Sequence, residues 1–145
     1  MKAVLDTNVL IYDTFEDSLF HLEAKEILDS LDEWIIPLIV IHEYVWILKS
    51  LEIAIDDVVY KVREYLDHHK TKLVLEDRED VLRALEIIRD ENLSLSRYND
   101  KIVLSIAQKV GTLVTFDKRL RKQALATKLE VLPSKIDESR SSSKI

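Results

Sequence analysis

The sequence contains no cysteine, one glycine and two prolines in 145 residues. The lack of cysteine excludes disulfide bonds and thiolate metal sites, and it suits the reducing cytoplasm. Long hydrophobic runs are also missing, because the longest apolar stretch, residues 34–41, falls far short of the roughly 20 residues that cross a bilayer. We therefore expect a cytoplasmic protein with no membrane partner.

The composition is that of a single folded unit. Apolar residues make up 47% of the chain and charged residues 33%, which suits one domain with a hydrophobic core and a charged surface. Glycine and glutamine are scarce while Lys, Glu, Leu and Ile are plentiful, a bias typical of thermophile proteins. We expect one domain over residues 1–132, followed by a polar, serine-rich tail over residues 133–145 that should be disordered.

Charge is distributed unevenly along the chain. The net charge of −6 argues against a polyanionic partner, but Asp117 is the only acid in a basic segment, residues 101–128. A local basic patch can bind phosphate groups even when the total charge is negative, although a solvated helix face explains the same charges. The basic residues of the segment are Lys101, Lys109, Lys118, Arg119, Arg121, Lys122 and Lys128.

Short apolar runs alternate with helical patterns, which predicts βαβ units and a parallel sheet. The predicted strands cover residues 2–5, 33–36, 72–75, 112–116 and 129–132. Pro37 fits the first turn of the helix that follows the second strand, where its missing N–H costs nothing. That helix is apolar on almost every side, so we expect it to be deeply buried, with Trp46 in the core.

Four acids stand out by their context. Asp6 and Asp117 follow predicted strands, so in a parallel sheet they lie at the same edge. Asp100 is in the first turn of the helix that leads to the strand before Asp117. Glu43 lies within the most apolar helix, where a carboxylate is costly unless it is paired or binds a cation.

Each acid alone has an ordinary interpretation, since Asp and Asn are good helix caps. Together, four converging carboxylates would repel one another and raise their own pKa values, and a hard divalent cation would relieve that repulsion. We therefore predict a metal site at Asp6, Glu43, Asp100 and Asp117. Short polar neighbours could orient the acids by hydrogen bonds, or could serve only turn chemistry: Thr7, Asn8, Asn99 and Thr115.

Four segments in this order resemble the PIN domain family, and in size the chain resembles the toxin subunit of VapBC-type toxin–antitoxin pairs. The segments are LDTNVLIY at 5–12, IIPLIVIHE at 35–43, YNDKIVLSIAQKVG at 98–111 and LVTFDKRL at 113–120. The four metal-site acids of the family fall on Asp6, Glu43, Asp100 and Asp117, and its polar companions fall on Thr7 and Thr115.

The resemblance implies a three-layer α/β/α sandwich around a parallel sheet of four to five short strands. It implies an endoribonuclease that uses one or two Mg²⁺ or Mn²⁺ ions, with Asp6, Asp100 and Asp117 binding metal and Glu43 binding a second ion or the attacking water. It further implies a homodimer, inhibited by a small antitoxin protein that also joins it in binding operator DNA. We expect the RNA phosphates to be contacted by Lys118, Arg119, Arg121 and Lys122.

Other functions fit parts of the pattern. An RNA-maturation enzyme or a DNA structure-specific nuclease could share the fold, although the chain has little room for a threading arch. A binding module held without turnover by a partner is also compatible with the sequence. Aspartyl-phosphate chemistry is disfavoured, because Asp6-Thr7-Asn8 lacks the second acid that such sites need.

Overall fold

A computed structural model describes residues 1–137 and contains one five-stranded, fully parallel sheet. The strands lie in the order β3-β2-β1-β4-β5, with helices on both faces. This architecture confirms the predicted α/β class. The strands are β1 (Lys2–Leu5), β2 (Glu33–Pro37), β3 (Thr71–Val74), β4 (Thr112–Val114) and β5 (Glu130–Leu132). The helices are α1 (Thr7–Thr14), α2 (His21–Ser30), α3 (Leu38–Ser50), α4 (Ile55–Leu66), α5 (Arg78–Asp90), α6 (Tyr98–Val110) and α7 (Lys118–Ala126).

The strand order reverses at the centre of the sheet. β1 pairs with β2 on one side and with β4 on the other, so successive crossovers run outward in two directions from β1. In open parallel sheets this reversal leaves a crevice at the carboxyl ends of the two central strands, where ligands bind. Asp6 directly follows β1, and Asp117 follows β4 by three residues. The topology therefore brings these two acids to the same crevice.

Helix α6 contains a long, continuously buried segment. Residues 101–107 are all buried, because α6 packs against β1 and β4 on one side and against α5 on another. The helix ends at Gly111, whose φ of 107° lies in the left-handed region that a side chain disfavours. The chain therefore turns sharply into β4, which delivers Asp117 to the edge where Asp100 already lies.

Two expectations about α3 are wrong. Pro37 is the last residue of β2 and the N-cap of α3 instead of a residue in its first turn, since its extended ψ of 139° continues the strand. Trp46 is 65% exposed. Tyr44 and Leu48 form the inward stripe of the same helix and are fully buried, so the helix has an outer face despite its apolar composition.

The segment after β5 folds back onto the domain over the residues that the structure describes. The Pro133 carbonyl accepts a hydrogen bond from Arg121, and the partly buried Ile136 packs against the hydrophobic core. Residues 138–145 of the expected tail lie outside the described residues. Within residues 1–137, none of the helices combines the length and the apolar character that crossing a membrane requires.

Candidate active site

Asp6 is at once a helix cap and a member of a side-chain cluster. It is the N-cap of α1 and accepts a hydrogen bond of 2.8 Å from the Thr7 backbone N–H. The Thr115 hydroxyl, from just beyond β4, donates to Asp6 Oδ2 at 2.7 Å, and Asn8 Nδ2 donates to the same oxygen at 3.2 Å. Asp6 is therefore a helix cap whose carboxylate is also oriented by Asn8 and Thr115.

Glu43 reaches the same cluster from α3. The Thr7 hydroxyl donates to Glu43 Oε1 at 2.9 Å, and Glu43 is only partly buried. Thr7 itself is 5% exposed, so its hydroxyl is a fixed link between the first turn of α1 and the second turn of α3. This bond explains how an acid in an apolar helix is tolerated without a basic partner.

Asp100 and Asp117 complete the acidic group from the other side of the crevice. Asp117 caps α7 by accepting a hydrogen bond of 2.9 Å from the Leu120 N–H, and its own N–H donates to Thr115 Oγ1 at 3.1 Å. Asp100 lies in the first turn of α6, where Arg97 Nε donates to its Oδ2 at 3.4 Å. Thr115 thus connects the strand ends that carry Asp6 and Asp117.

The charges of the four acids act on one another. Burial, together with the charges of Asp100 and Glu43, raises the pKa of Asp6 to about 7, against the hydrogen bonds from Thr115 and Thr7 that lower it. Burial also raises the pKa of Asp100, assisted by the charges of Asp117 and Glu43 and opposed by Arg97. Such mutual repulsion among carboxylates is relieved when a cation joins them.

The donor set fits a hard divalent cation better than a soft one. It consists of carboxylate and hydroxyl oxygens, with no histidine or sulfur, and such oxygen ligands are preferred by Mg²⁺ and Mn²⁺. Over residues 1–137, no group of three or more acidic or histidine side chains is arranged so that it could hold a metal ion by itself.

A solvent-accessible cleft with a volume of about 430 Å³ opens beside two of the acids. Its lining combines anions and cations: Arg97, Asp100, Asp117, Lys118 and Arg119. A phosphodiester carries negative charge that lysine and arginine neutralise. The cleft therefore offers carboxylates for a cation and basic groups for phosphate within one space.

The predicted basic residues divide into two kinds. Lys118, Arg119 and Lys122 are exposed on α7, whereas Arg121 is only 8% exposed. Its guanidinium donates to the Thr115 carbonyl at 2.9 Å and to the Pro133 carbonyl at 2.6 Å. Arg121 therefore points into the domain. Its guanidinium holds two backbone carbonyls and is not displayed on the surface.

The remaining polar candidates also differ in their placement. Thr7, Asn8 and Thr115 all contact an acid of the cluster, and Asn8 Nδ2 additionally lies 3.2 Å from Thr115 Oγ1. Asn99 is half-buried in the first turn of α6, and over residues 1–137 it has no hydrogen bond to any of the four acids. Hence three of the four predicted companions lie against the acids.

Two residues near the acids were missed from the sequence. Arg97 precedes α6 and contacts Asp100, and its only sequence signal is its position one turn before that acid. Tyr12 lies in α1, where burial and the nearby charge of Asp117 raise its pKa. Its ring stands edge-on to Phe116, with the ring centres 5.2 Å apart, so it forms part of the apolar wall behind the acids.

The fold and this site define an α/β protein with a cluster of acids at the switch point of a parallel sheet. The chain belongs to the PIN domain family, since the family model for the PIN domain matches residues 3–125. All four acids lie within the matched range. A comparison with curated protein sequences finds no match.

Solved structures of toxins have the same fold. VapC20 from Mycobacterium tuberculosis, described as a toxin that cleaves the sarcin-ricin loop, superposes with a TM-score of 0.70 at 15% identity, over 83% of this chain and 94% of that one. VapBC2 from Rickettsia felis, bound to a promoter DNA fragment, gives 0.65 at 18% identity, over 90% and 97% of the chains. A toxin–antitoxin complex from Klebsiella pneumoniae gives 0.58 at 23% identity, over 81% and 88%.

Proposed function

We propose that this chain is a metal-dependent endoribonuclease and the toxin of a VapBC-type toxin–antitoxin pair. The observation that carries the proposal is the meeting of four carboxylates, from helices α3 and α6 and from the chain just beyond β1 and β4, beside a cleft lined by basic residues. Membership of the PIN family and a VapC-like fold support the same conclusion. Mg²⁺ or Mn²⁺, as one ion or two, is the cofactor we propose.

The acids have distinct roles in this proposal. Asp6, Asp100 and Asp117 would hold the cation, and Glu43 would hold a second ion or orient the attacking water. When bound, the cation supplies a stronger nucleophile from water and stabilises charge on the phosphate. Thr115 and Thr7 keep the Asp6 and Glu43 carboxylates turned toward the crevice.

The basic groups of the cleft position the substrate. Lys118 and Arg119 line it with Asp100 and Asp117, so they can contact phosphate oxygens next to the acids. Lys122 is exposed one turn farther along α7 and extends the same basic surface. Because Arg121 is buried, we leave it out of the proposed RNA-contacting set. RNA is thus held by charge along its backbone, which gives affinity with little sequence preference.

We further propose a small antitoxin protein as the partner of this chain. Solved structures with the same fold include toxin–antitoxin complexes, one of them on promoter DNA, which supports an antitoxin that blocks the toxin and provides its contact with operator DNA. A homodimer is the assembly we propose for the isolated toxin.

Cleavage of an RNA panel tests the proposed activity. Single-stranded and folded RNAs are incubated with the pure chain in Mn²⁺, in Mg²⁺ and in EDTA, with single-stranded DNA of the same sequences as a competitor. Asp6→Asn is compared with Asp77→Asn, which alters the acidic N-cap of α5 and serves as the matched control. We expect metal-dependent RNA cleavage that is lost only in Asp6→Asn. Cleavage that persists in Asp6→Asn, or is confined to DNA, would contradict the proposal.

A further inference from the structure

A second hollow adjoins the cleft and carries an inference that rests on the proposed ribonuclease function. We propose that this hollow, formed by α7 and residues 134–136, binds the backbone of the same single-stranded RNA at nucleotides next to the cleavage site. Its volume is about 540 Å³. We call it the α7 hollow, and its lining is Lys118, Arg121, Lys122, Leu125, Ser134, Lys135 and Ile136.

The α7 hollow and the active cleft share a wall. Lys118 lines both spaces, so a strand whose phosphate lies between Asp100 and Asp117 can continue past Lys118 without leaving the basic surface. Lys118 and Lys122 are one helical turn apart, with their Cβ atoms roughly 5–6 Å from each other. This continuity favours one ligand that occupies both spaces over two independent ligands.

The chemistry of the α7 hollow suits a nucleotide. Lys122 and Lys135 are exposed on its two sides, and within the described residues its lining contains no acid. The side chains of Leu125, which is 58% exposed, and of Ile136 add an apolar surface. Lysines can hold phosphate while an unstacked base of single-stranded RNA rests on the apolar part.

The hollow is held in shape by buried contacts. Arg121 binds the Pro133 carbonyl and the Thr115 carbonyl together, and so ties the segment that carries Lys135 to the strand end that carries the acids. Ile136 packs against the core on the same side. The backbone on either side of Lys135 is therefore held to the domain through Pro133 and Ile136.

An acidic protein segment is the other polyanion that these lysines could attract. Charge alone does not separate the two, because the carboxylates of the neighbouring cleft repel both polyanions and a cation bound there would attract both. RNA is favoured because Lys118 joins the hollow to the cleft in which the proposed ribonuclease holds its substrate.

Binding to single-stranded dodecauridylate tests the proposal without depending on cleavage. Anisotropy of the labelled RNA is measured at several salt concentrations in the full Asp6→Asn chain, which leaves the RNA intact. Three double substitutions are compared in that background: Lys122→Gln with Lys135→Gln, Lys122→Arg with Lys135→Arg, and Lys2→Gln with Lys72→Gln. Lys2 and Lys72 are exposed on β1 and β3, away from α7. Replacing both with glutamine removes as much positive charge as the Lys122–Lys135 glutamine pair and leaves the α7 hollow unchanged.

We expect the glutamine pair in the α7 hollow to weaken binding about tenfold and to lower the salt slope by about 1.4, the value for two lost phosphate contacts on a single strand. The arginine pair and the Lys2–Lys72 control should stay within about twofold of the parent. Equal affinity for the glutamine pair, or equal weakening in the control, would overturn the proposal. Displacement of the RNA by polyglutamate of matched charge, as effective as displacement by unlabelled RNA, would also overturn it.

The two proposals fail in different ways. Cleavage by the unsubstituted chain is measured on the same RNA in Mn²⁺. Absence of cleavage counts against the ribonuclease, whereas the affinity difference between the double variants decides the role of the α7 hollow. Circular dichroism of each variant confirms that a loss of affinity does not come from unfolding.

Discussion

The Thr115 hydroxyl donates a 2.7 Å hydrogen bond to Asp6 Oδ2, joining residues 109 positions apart in the chain. Thr115 is fully buried, and its oxygen also accepts hydrogen bonds from Asn8 Nδ2 and the Asp117 N–H. One hydroxyl thereby aligns the ends of the two central strands where the sheet order reverses. The geometry of the acidic site depends on this contact.

Replacement of Thr115 by valine should disturb the site more than its replacement by serine. Thr115→Val keeps the shape but leaves buried polar partners without a hydrogen bond, which costs about 1–3 kcal/mol of unfolding free energy. Thr115→Ser keeps the hydroxyl and should retain Mn²⁺ affinity and RNA cleavage. Urea unfolding and Mn²⁺ titration of both variants check the prediction, and equal behaviour of valine and serine would contradict it.

Removal of the Glu43 carboxylate should slow RNA cleavage without preventing the binding of a cation. In our proposal Glu43 holds a second ion or the attacking water, so Glu43→Gln should lower the cleavage rate while the cation at Asp6, Asp100 and Asp117 still binds. The amide can still accept the hydrogen bond from the Thr7 hydroxyl, so the local fold should persist. The measurement is Mn²⁺ titration beside single-turnover cleavage. Unchanged cleavage in Glu43→Gln would exclude a catalytic role for this acid.

Asp80 lies away from the candidate site and should make the stability of the fold depend on pH. Its carboxylate is fully buried between α5 and α6 and accepts hydrogen bonds from Ser105 at 2.5 Å, the Asp77 N–H at 2.9 Å and Lys109 at 2.9 Å. Burial alone would raise the pKa of Asp80, but these three hydrogen bonds outweigh it and lower the pKa to about 2.

Because the pKa of Asp80 in the folded state lies below the unfolded value of about 3.9, its contribution to stability is present above about pH 4 and is lost as the pH falls toward about 2. Asp80→Asn should therefore lower the unfolding free energy by about 2 kcal/mol at neutral pH and flatten its decline between about pH 4 and pH 2. Urea unfolding across this range tests the prediction. A parallel decline in the wild type and Asp80→Asn would refute it.

Arg121 and Lys122 are adjacent in sequence but should respond differently to substitution. Arg121→Met removes two hydrogen bonds to buried carbonyls, so we expect a loss of about 2 kcal/mol in unfolding free energy. Lys122→Gln changes an exposed side chain and should alter stability by less than about 0.5 kcal/mol. Thermal and urea unfolding of the two variants provide the comparison. Similar stability losses in both would contradict the inward role of Arg121.

The placement of Asp6 and Asp117 at one edge of the sheet could be predicted from the sequence, since it depends on the alternation of strands and helices. Asp6 and Asp117 follow strands, and parallel strands bring such residues to one edge. Glu43 was conspicuous because a carboxylate in an apolar helix needs a partner. Thr7 provides one, across 36 positions of the chain.

The solvent exposure and the orientation of individual side chains were harder to predict. Trp46 lies on the outer face of α3, because apolar composition on every side does not reveal which side the sheet covers. Arg121 is not one of the exposed cations that the sequence predicts, because it shares the buried stripe of α7 with Leu120 and Ala124. The helical spacing of these three residues can be read from the sequence, but arginine is usually exposed, and this favours the opposite prediction.

Cation binding tests the central claim most directly. Mn²⁺ is titrated by calorimetry into the unsubstituted chain, Asp6→Asn and the Asp77→Asn control. The account predicts saturable binding of one or two Mn²⁺ ions to the unsubstituted chain and to Asp77→Asn, with the affinity lost or greatly reduced in Asp6→Asn. Absence of binding to the folded, unsubstituted chain, or equal binding by Asp6→Asn, would show that the four carboxylates do not form a metal site.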